Sequence, residues 1–177
     1  MMTTKTLHDF GDVWGAVEAH RHAYGGGWVA DTAYVAYTVY VGPNAEVSGR
    51  ARVTETAIVD GYARVRGSVR VGDDARVLDH ATVTDDAAVY EGAILLGRAH
   101  VGGEALVRGR AVVSDDAFVT AGMILTGTVS VYGNACYTPI DHDASDGFWD
   151  FDHGMYGGSV QRDVEGAARE QRAAATA

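Results

Sequence analysis

From Trp28 to Ala135 the chain divides into 18 consecutive six-residue units with no insertion or deletion. They open WVADTA, YVAYTV, YVGPNA, EVSGRA and close FVTAGM, ILTGTV, SVYGNA. The second position is Val in 16 units and Leu in two, Leu95 and Leu125. The sixth is Ala in 14, Val in three (Val39, Val69, Val129) and Met in one, Met123. Self-similarity at a fixed period is the mark of a repeat architecture and takes precedence over any local secondary-structure reading. Branched residues have a stiff χ1 and suit a pleated surface, so each second-position residue is read as pointing into a common core. The small sixth residue fits a corner where the walls leave little volume. Gly, Asp and Asn gather at positions four and five, where the chain must turn and positive φ is needed.

The pattern resembles the hexapeptide repeat of left-handed parallel β-helices, and the likeness covers about 60% of the chain. That resemblance implies three units per triangular coil of 18 residues, and with it the left hand, which runs against the ordinary crossover rule. Eighteen units then make six coils, a column roughly 29 Å tall at the usual strand spacing. The Gly26-Gly27-Trp28-Val29 entry is also similar to bacterial and phage hexapeptide-repeat proteins of poorly characterised role. The fold class is therefore an all-β solenoid with an N-terminal cap over 1–27, the β-helix over 28–141 and a C-terminal tail over 142–177.

Solenoids expose core at both ends and need caps. In the cap, Phe10, Val13, Trp14 and Val17 are the apolar candidates, on a short helix after Asp12 that Gly11 and Gly15 weaken. Gly25-Gly26-Gly27 reads as a φ-permissive entry to the first strand. A phosphate cradle is the alternative, but no Lys-Ser/Thr or helix follows. The tail begins HDASDGFWDFDHGMYGG, and 159–175 is expected to be a weakly amphipathic helix with Ser159 as its N-cap.

A net charge of -10 argues against general nucleic-acid binding. No apolar run is long enough for a membrane span, the first residues lack signal-peptide order, and the single Cys136 excludes an intramolecular disulfide framework. A cytoplasmic protein is the expectation, with no cofactor.

Outward residues 18 apart form vertical columns. The third wall shows Ile58, Leu78, Ile94, Leu96 and Val112, an apolar face that the tail or another subunit must cover. The resemblance implies a homotrimer packed along parallel prism axes. Six of the 14 Lys and Arg residues fall between 50 and 76: Arg50, Arg52, Arg64, Arg66, Arg70 and Arg76. Arg52 and Arg70 stack on the second wall, Arg64 and Arg66 flank Val65 on the first, and Arg50 sits at the corner between. Stacked like charges repel unless an anion or carboxylate lies between them. Internal partners are at hand in Glu46, Glu55, Asp73, Asp74 and the tail's Asp143 to Asp152. The other answer is an anionic ligand between subunits, gripped by bidentate guanidinium forks, with Tyr37, Tyr62 or Tyr90 offering an aromatic face.

Hexapeptide-repeat proteins include many acyltransferases, whose resemblance implies a histidine base beside acyl-CoA at a subunit interface. His80 and His100 are the coil candidates. The units are uninterrupted, so no extruded loop builds an acceptor site, and no Gly-x-Ser-x-Gly occurs. A γ-class carbonic anhydrase centre would need coil histidines, and only His80 and His100, on different walls, are available. His20 and His22 share a strand-like spacing. His142 and His153 lie among Asp141, Asp143, Asp146, Asp150 and Asp152, a set read as a solvated or Arg-pairing loop with metal binding as the alternative. The leading expectation is a non-enzymatic oligomeric protein that holds a small anionic, nucleotide-like or phosphorylated ligand in Arg-rich inter-subunit pockets. A signal-sequestering sponge belongs to that class. A His-based acyltransferase and a purely structural module are the alternatives.

Overall fold

A computed structural model describes residues 6–11, 15–137 and 158–161. Every six-residue unit contributes a short strand at its first two positions, and from Trp28 to Phe118 each strand pairs in parallel with the one 18 residues on. Trp28 meets Glu46, Arg52 meets Arg70, and Ile94 meets Val112. The result is a parallel β-solenoid of about six turns with three walls. These are a nine-stranded, a six-stranded and a seven-stranded sheet.

The core follows the repeat. The second-position residues from Val41 to Val131 are at most 1% exposed, and the sixth-position alanines from Ala45 to Ala117 are fully buried. Leu95 and Leu125 are the largest fully buried side chains. A large residue is tolerated at position two because its neighbours a coil away are Val77, Val113 and Val107. The corners fall at position four. All seven non-glycine residues with positive φ stand there, Glu55, Asp73, Asp79, Asp85, Glu91, Asp115 and Ala121, at φ between 53° and 61°.

Aspartate at these corners does more than tolerate the left-handed region. The carboxylates of Asp73, Asp79, Asp85 and Asp115 accept the backbone N–H of Glu91, Gly97, Gly103 and Gly133, each 18 residues ahead, at 3.0–3.1 Å. The corner N–H, which the strand ladder leaves without a partner, is thereby paired.

The N-terminal cap is a hairpin, not a helix. Strands β1 (Thr6–Asp9) and β2 (Ala16–Arg21) pair antiparallel, and β2 pairs antiparallel with β3 (Trp28–Ala30) at the top of the first wall. An open sheet edge offers a full row of unpaired N–H and C=O groups, and that reward outweighs the weak helical preference after Asp12. The two glycines cited against the helix, Gly11 and Gly15, have φ of 69° and 67° and flank the hairpin turn. Phe10 and Ala19 are buried with Ala30, and Val17 and Trp28 pack against them; Val13 and Trp14 lie outside the described residues. Gly25, at φ 108°, lies so close to the Val41 carbonyl that no side chain fits, and the Gly27 N–H donates to that same carbonyl at 2.9 Å. The triple glycine is thus a close-packed entry and cradles no phosphate.

At the other end Gly158–Gln161 forms a strand antiparallel to Ser130–Gly133, extending the third wall. Ser159 is therefore in a strand and does not cap a helix; the rest of the expected 159–175 helix lies outside the described residues. Here too a sheet edge recruits the chain. Among the described residues no helix is long and apolar enough to cross a membrane.

Candidate functional site

The second wall places Tyr34, Arg52, Arg70 and Ala88 in one column, each in register with the next. Both arginines are exposed. Among the described residues neither forms an ion pair with a carboxylate. The parallel column on the same wall reads Thr54, Gly72, Tyr90. Between the two columns lies a groove of about 320 Å³ lined by Arg52, Thr54, Arg70, Val71 and Tyr90. Its floor is the strand Arg70–Val71, and Gly72 follows that strand beneath the Tyr90 ring. A Cβ placed on Gly72 would stand 3.1 Å from Thr54 Oγ1 and 3.2 Å from Tyr90 Cδ1 and Cε1. The tyrosine ring thus leans one coil up, over the glycine.

The other arginines are placed differently. Arg64 lies in register beneath Glu46, and Arg64 Nε is 3.3 Å from Glu46 Oε2. The other Glu46 oxygen is 2.9 Å from His8 Nε2. His8 stacks on Trp28, and the Arg21 guanidinium covers that indole at 4.1 Å. Arg66 is half-buried on the first wall, Arg50 is exposed at the corner after it, and Arg76 lies on the third wall between Ile58 and Ile94. The groove therefore unites two of the six arginines. Of the proposed internal partners, Glu46 alone pairs with an arginine of the cluster among the described residues; Asp143 to Asp152 lie outside them.

The two coil histidines also differ. His80 is exposed at a corner and stacks on Tyr62, ring centres 5.0 Å apart. His100 is half-buried in the first wall and stacks on Phe118 at 4.6 Å. Its Nε2 is 3.4 Å from Thr84 Oγ1 and fills the space left by Gly102, where a Cβ would come within 2.9 Å of it. Burial pushes its pKa down, the Asp85 carboxylate opposes that, and the Arg66 charge adds to it. The balance favours the neutral imidazole. The Asp85 carboxyl is held below the usual range by the Gly103 N–H and then by the Thr84 hydroxyl.

His20 and His22 do not form a pair. His20 Nδ1 is 2.8 Å from an Asp31 oxygen, whereas buried His22 donates Nε2–H to the Val39 carbonyl at 2.9 Å. Among the described residues no three His, Cys, Asp or Glu side chains are grouped to hold a metal ion. The tail set around His142 and His153 lies outside them. Periodicity gave no hint of a second, larger groove of about 550 Å³ at the corner between the second and third walls. It is lined by Asp74, Glu91, Gly92, Gly109, Arg110, Gly127 and Thr128. Gly92, Gly109 and Gly127 at successive corner positions are the signal that would have found it.

On the third wall Ile58, Leu78, Ile94, Leu96 and Val112 are all half-buried, each partly covered by its neighbours in adjoining coils. Compared with family models, curated proteins and solved structures, the chain matches none.

Proposed function

We propose that the chain is a non-enzymatic binding protein of the left-handed hexapeptide-repeat type, a cytoplasmic homotrimer holding a small anionic, phosphorylated or nucleotide-like ligand. The Arg52–Arg70 groove is the core of its pocket, with Arg50 on the adjoining corner and Arg66 on the first wall beyond it. One observation carries this reading: two arginines in direct register, one coil apart, with no carboxylate partner among the described residues. Two unit charges at the ~4.8 Å coil spacing repel by about 1 kcal/mol even in bulk water. An oxyanion between them removes that cost and accepts charge-assisted hydrogen bonds from both forks. Thr54 adds a hydroxyl donor and Tyr90 a ring. Calorimetric titration with nucleotides, sugar phosphates and coenzyme A tests it. Binding by the native protein and its loss in Arg52→Ala/Arg70→Ala are expected; no binding by the native chain ends the reading.

The subunit contact falls on the third wall, where the half-buried Ile58, Leu78, Ile94, Leu96 and Val112 form one apolar stripe. Ile94→Asp is expected to convert trimer to monomer in native mass spectrometry. An unchanged mass would remove this wall from the interface.

A second reading, acyl transfer from acyl-CoA, is favoured by His100 alone. Favoured in its neutral form and beside Thr84, it has the protonation state a general base needs. Exposed His80 lacks that environment. His100→Ala abolishing release of coenzyme A from an acyl donor would support it.

A further inference from the structure

We propose that Gly72 is a positioning residue that makes the groove selective for mononucleotides, one phosphate joined to one planar ring over a short link. This rests on the anion-binding reading of the groove and narrows its ligand class.

Position three of the repeat points outward on every wall, and it is Gly in three of the 18 units, Gly42, Gly72 and Gly102. Each gap is taken by a neighbouring side chain. Asp60 folds its carboxylate over Gly42, and His100 and Asp85 close over Gly102. At Gly72 the intruder is the ring of Tyr90, directly one coil below, with Thr54 at the upper rim. Unlike the corner glycines, Gly72 has no positive φ. Its lack of a side chain is therefore not a backbone requirement. What glycine supplies here is room.

That room sets a distance. Arg70, which opens its strand, and Gly72, just past the end of that strand, are two residues apart and face the same way, a separation of about 7 Å. With Tyr90 drawn up over Gly72, its ring stands at the level of Arg70, across the strand from the guanidinium. A phosphate bridging Arg52 and Arg70 then lies beside the Tyr90 ring at roughly the phosphate-to-base span of a mononucleotide. A sugar phosphate fills only the arginine half. Stacking on an aromatic face accepts any base, so the selectivity is for a planar ring and not for its identity. A side chain at Gly72 would push the ring down and off this level while leaving both arginines in place.

The test compares ribose 5-phosphate with adenosine and uridine 5′-monophosphates by calorimetry on the full chain. The native protein is expected to bind both nucleotides about tenfold more tightly than the sugar phosphate. Gly72→Val is expected to remove that margin, as is Tyr90→Ala, which does not crowd the groove floor. Arg52→Ala/Arg70→Ala should weaken all three ligands together. Equal affinity of the native protein for sugar phosphate and nucleotide overturns this inference while the anion site stands. So does a nucleotide margin that survives both Gly72→Val and Tyr90→Ala. If none of the three binds, the anion-binding reading falls and this one with it.

Discussion

Arg64 on the first wall and Arg70 on the second occupy the same repeat position in the same coil, and they differ in what lies one coil above. Over Arg64 stands Glu46, itself held by His8 from the N-terminal hairpin. Over Arg70 stands another arginine, Arg52. In a solenoid the neighbour that matters for an outward charge is the residue 18 back or 18 ahead, so one substitution decides whether a column is self-satisfied or open. The Glu46–Arg64 column of the first wall has closed its charge internally and uses the cap's His8 to do so. The second has left two guanidinium groups to solvent, or to a ligand.

Arg52→Glu breaks this contrast most directly. It gives the second wall the acid-over-arginine order of the first. Anion affinity is expected to fall about 100-fold or more, because one fork is lost and a carboxylate takes the ligand's place against the other. Melting temperature should hold or rise slightly, since a repulsive pair becomes an attractive exposed one. Isothermal titration and a thermal melt read both effects, and retained affinity would place the anion site elsewhere.

The reverse change sharpens the contrast at a smaller scale. Glu46→Ala leaves Arg64 and His8 without their shared acceptor and should destabilise the fold by about 1–2 kcal/mol in urea unfolding. Arg64→Ala alone should cost less than about 1 kcal/mol, because its side chain is 50% exposed and an exposed pair is worth little. Equal costs for the two would mean that the His8 contact contributes nothing and that the hairpin is not tied down through Glu46.

The repeat architecture and its buried positions follow from the six-residue period, because each unit repeats one environment and errors cannot accumulate without an insertion; the 18-residue register came with the resemblance, which implies three units per coil. The stacking of Arg52 on Arg70 followed from the same arithmetic. What the period could not supply was anything that depends on side chains leaning between coils. The tilt of Tyr90 over Gly72 and of His100 over Gly102 is a choice among rotamers. The Asp85 carboxylate reaching the Gly103 N–H is legible only once the corner is known to leave that N–H unpaired. The strands of the N-terminal cap and of 158–161 were not legible for a related reason. Residues 16–21 and 158–161 carry little intrinsic preference, and an open sheet edge, which is a property of the assembled solenoid, decides their conformation.

The smallest effect separates the two walls by pH. The first wall carries two groups, His100 and Asp85, whose pKa values the fold lowers. His100 is pushed down by burial from 6.5. As pH falls below 6.5 the unfolded chain takes up a proton there before the folded one does, so stability is complete above that value and declines beneath it. Buried His22, lowered for the same reason, acts in the same window. Asp85, lowered by the Gly103 N–H, contributes stability above its ordinary value of 3.8 and loses it only as pH falls further. Acidification should therefore destabilise the protein in two separate steps. His100→Phe keeps the aromatic ladder onto Phe118 and removes one titrating group. Its melting temperature should fall less between pH 7.5 and 5 than that of the native protein, with the residual slope belonging to His22. Asp85→Asn should flatten the lower step and, by removing the carboxylate that opposes the lowering of His100, steepen the upper one. If His100→Phe shows the native slope between pH 7.5 and 5, the imidazole is not shielded from solvent as its contacts with Thr84 and Phe118 require, and its standing as a neutral base on the first wall goes with it.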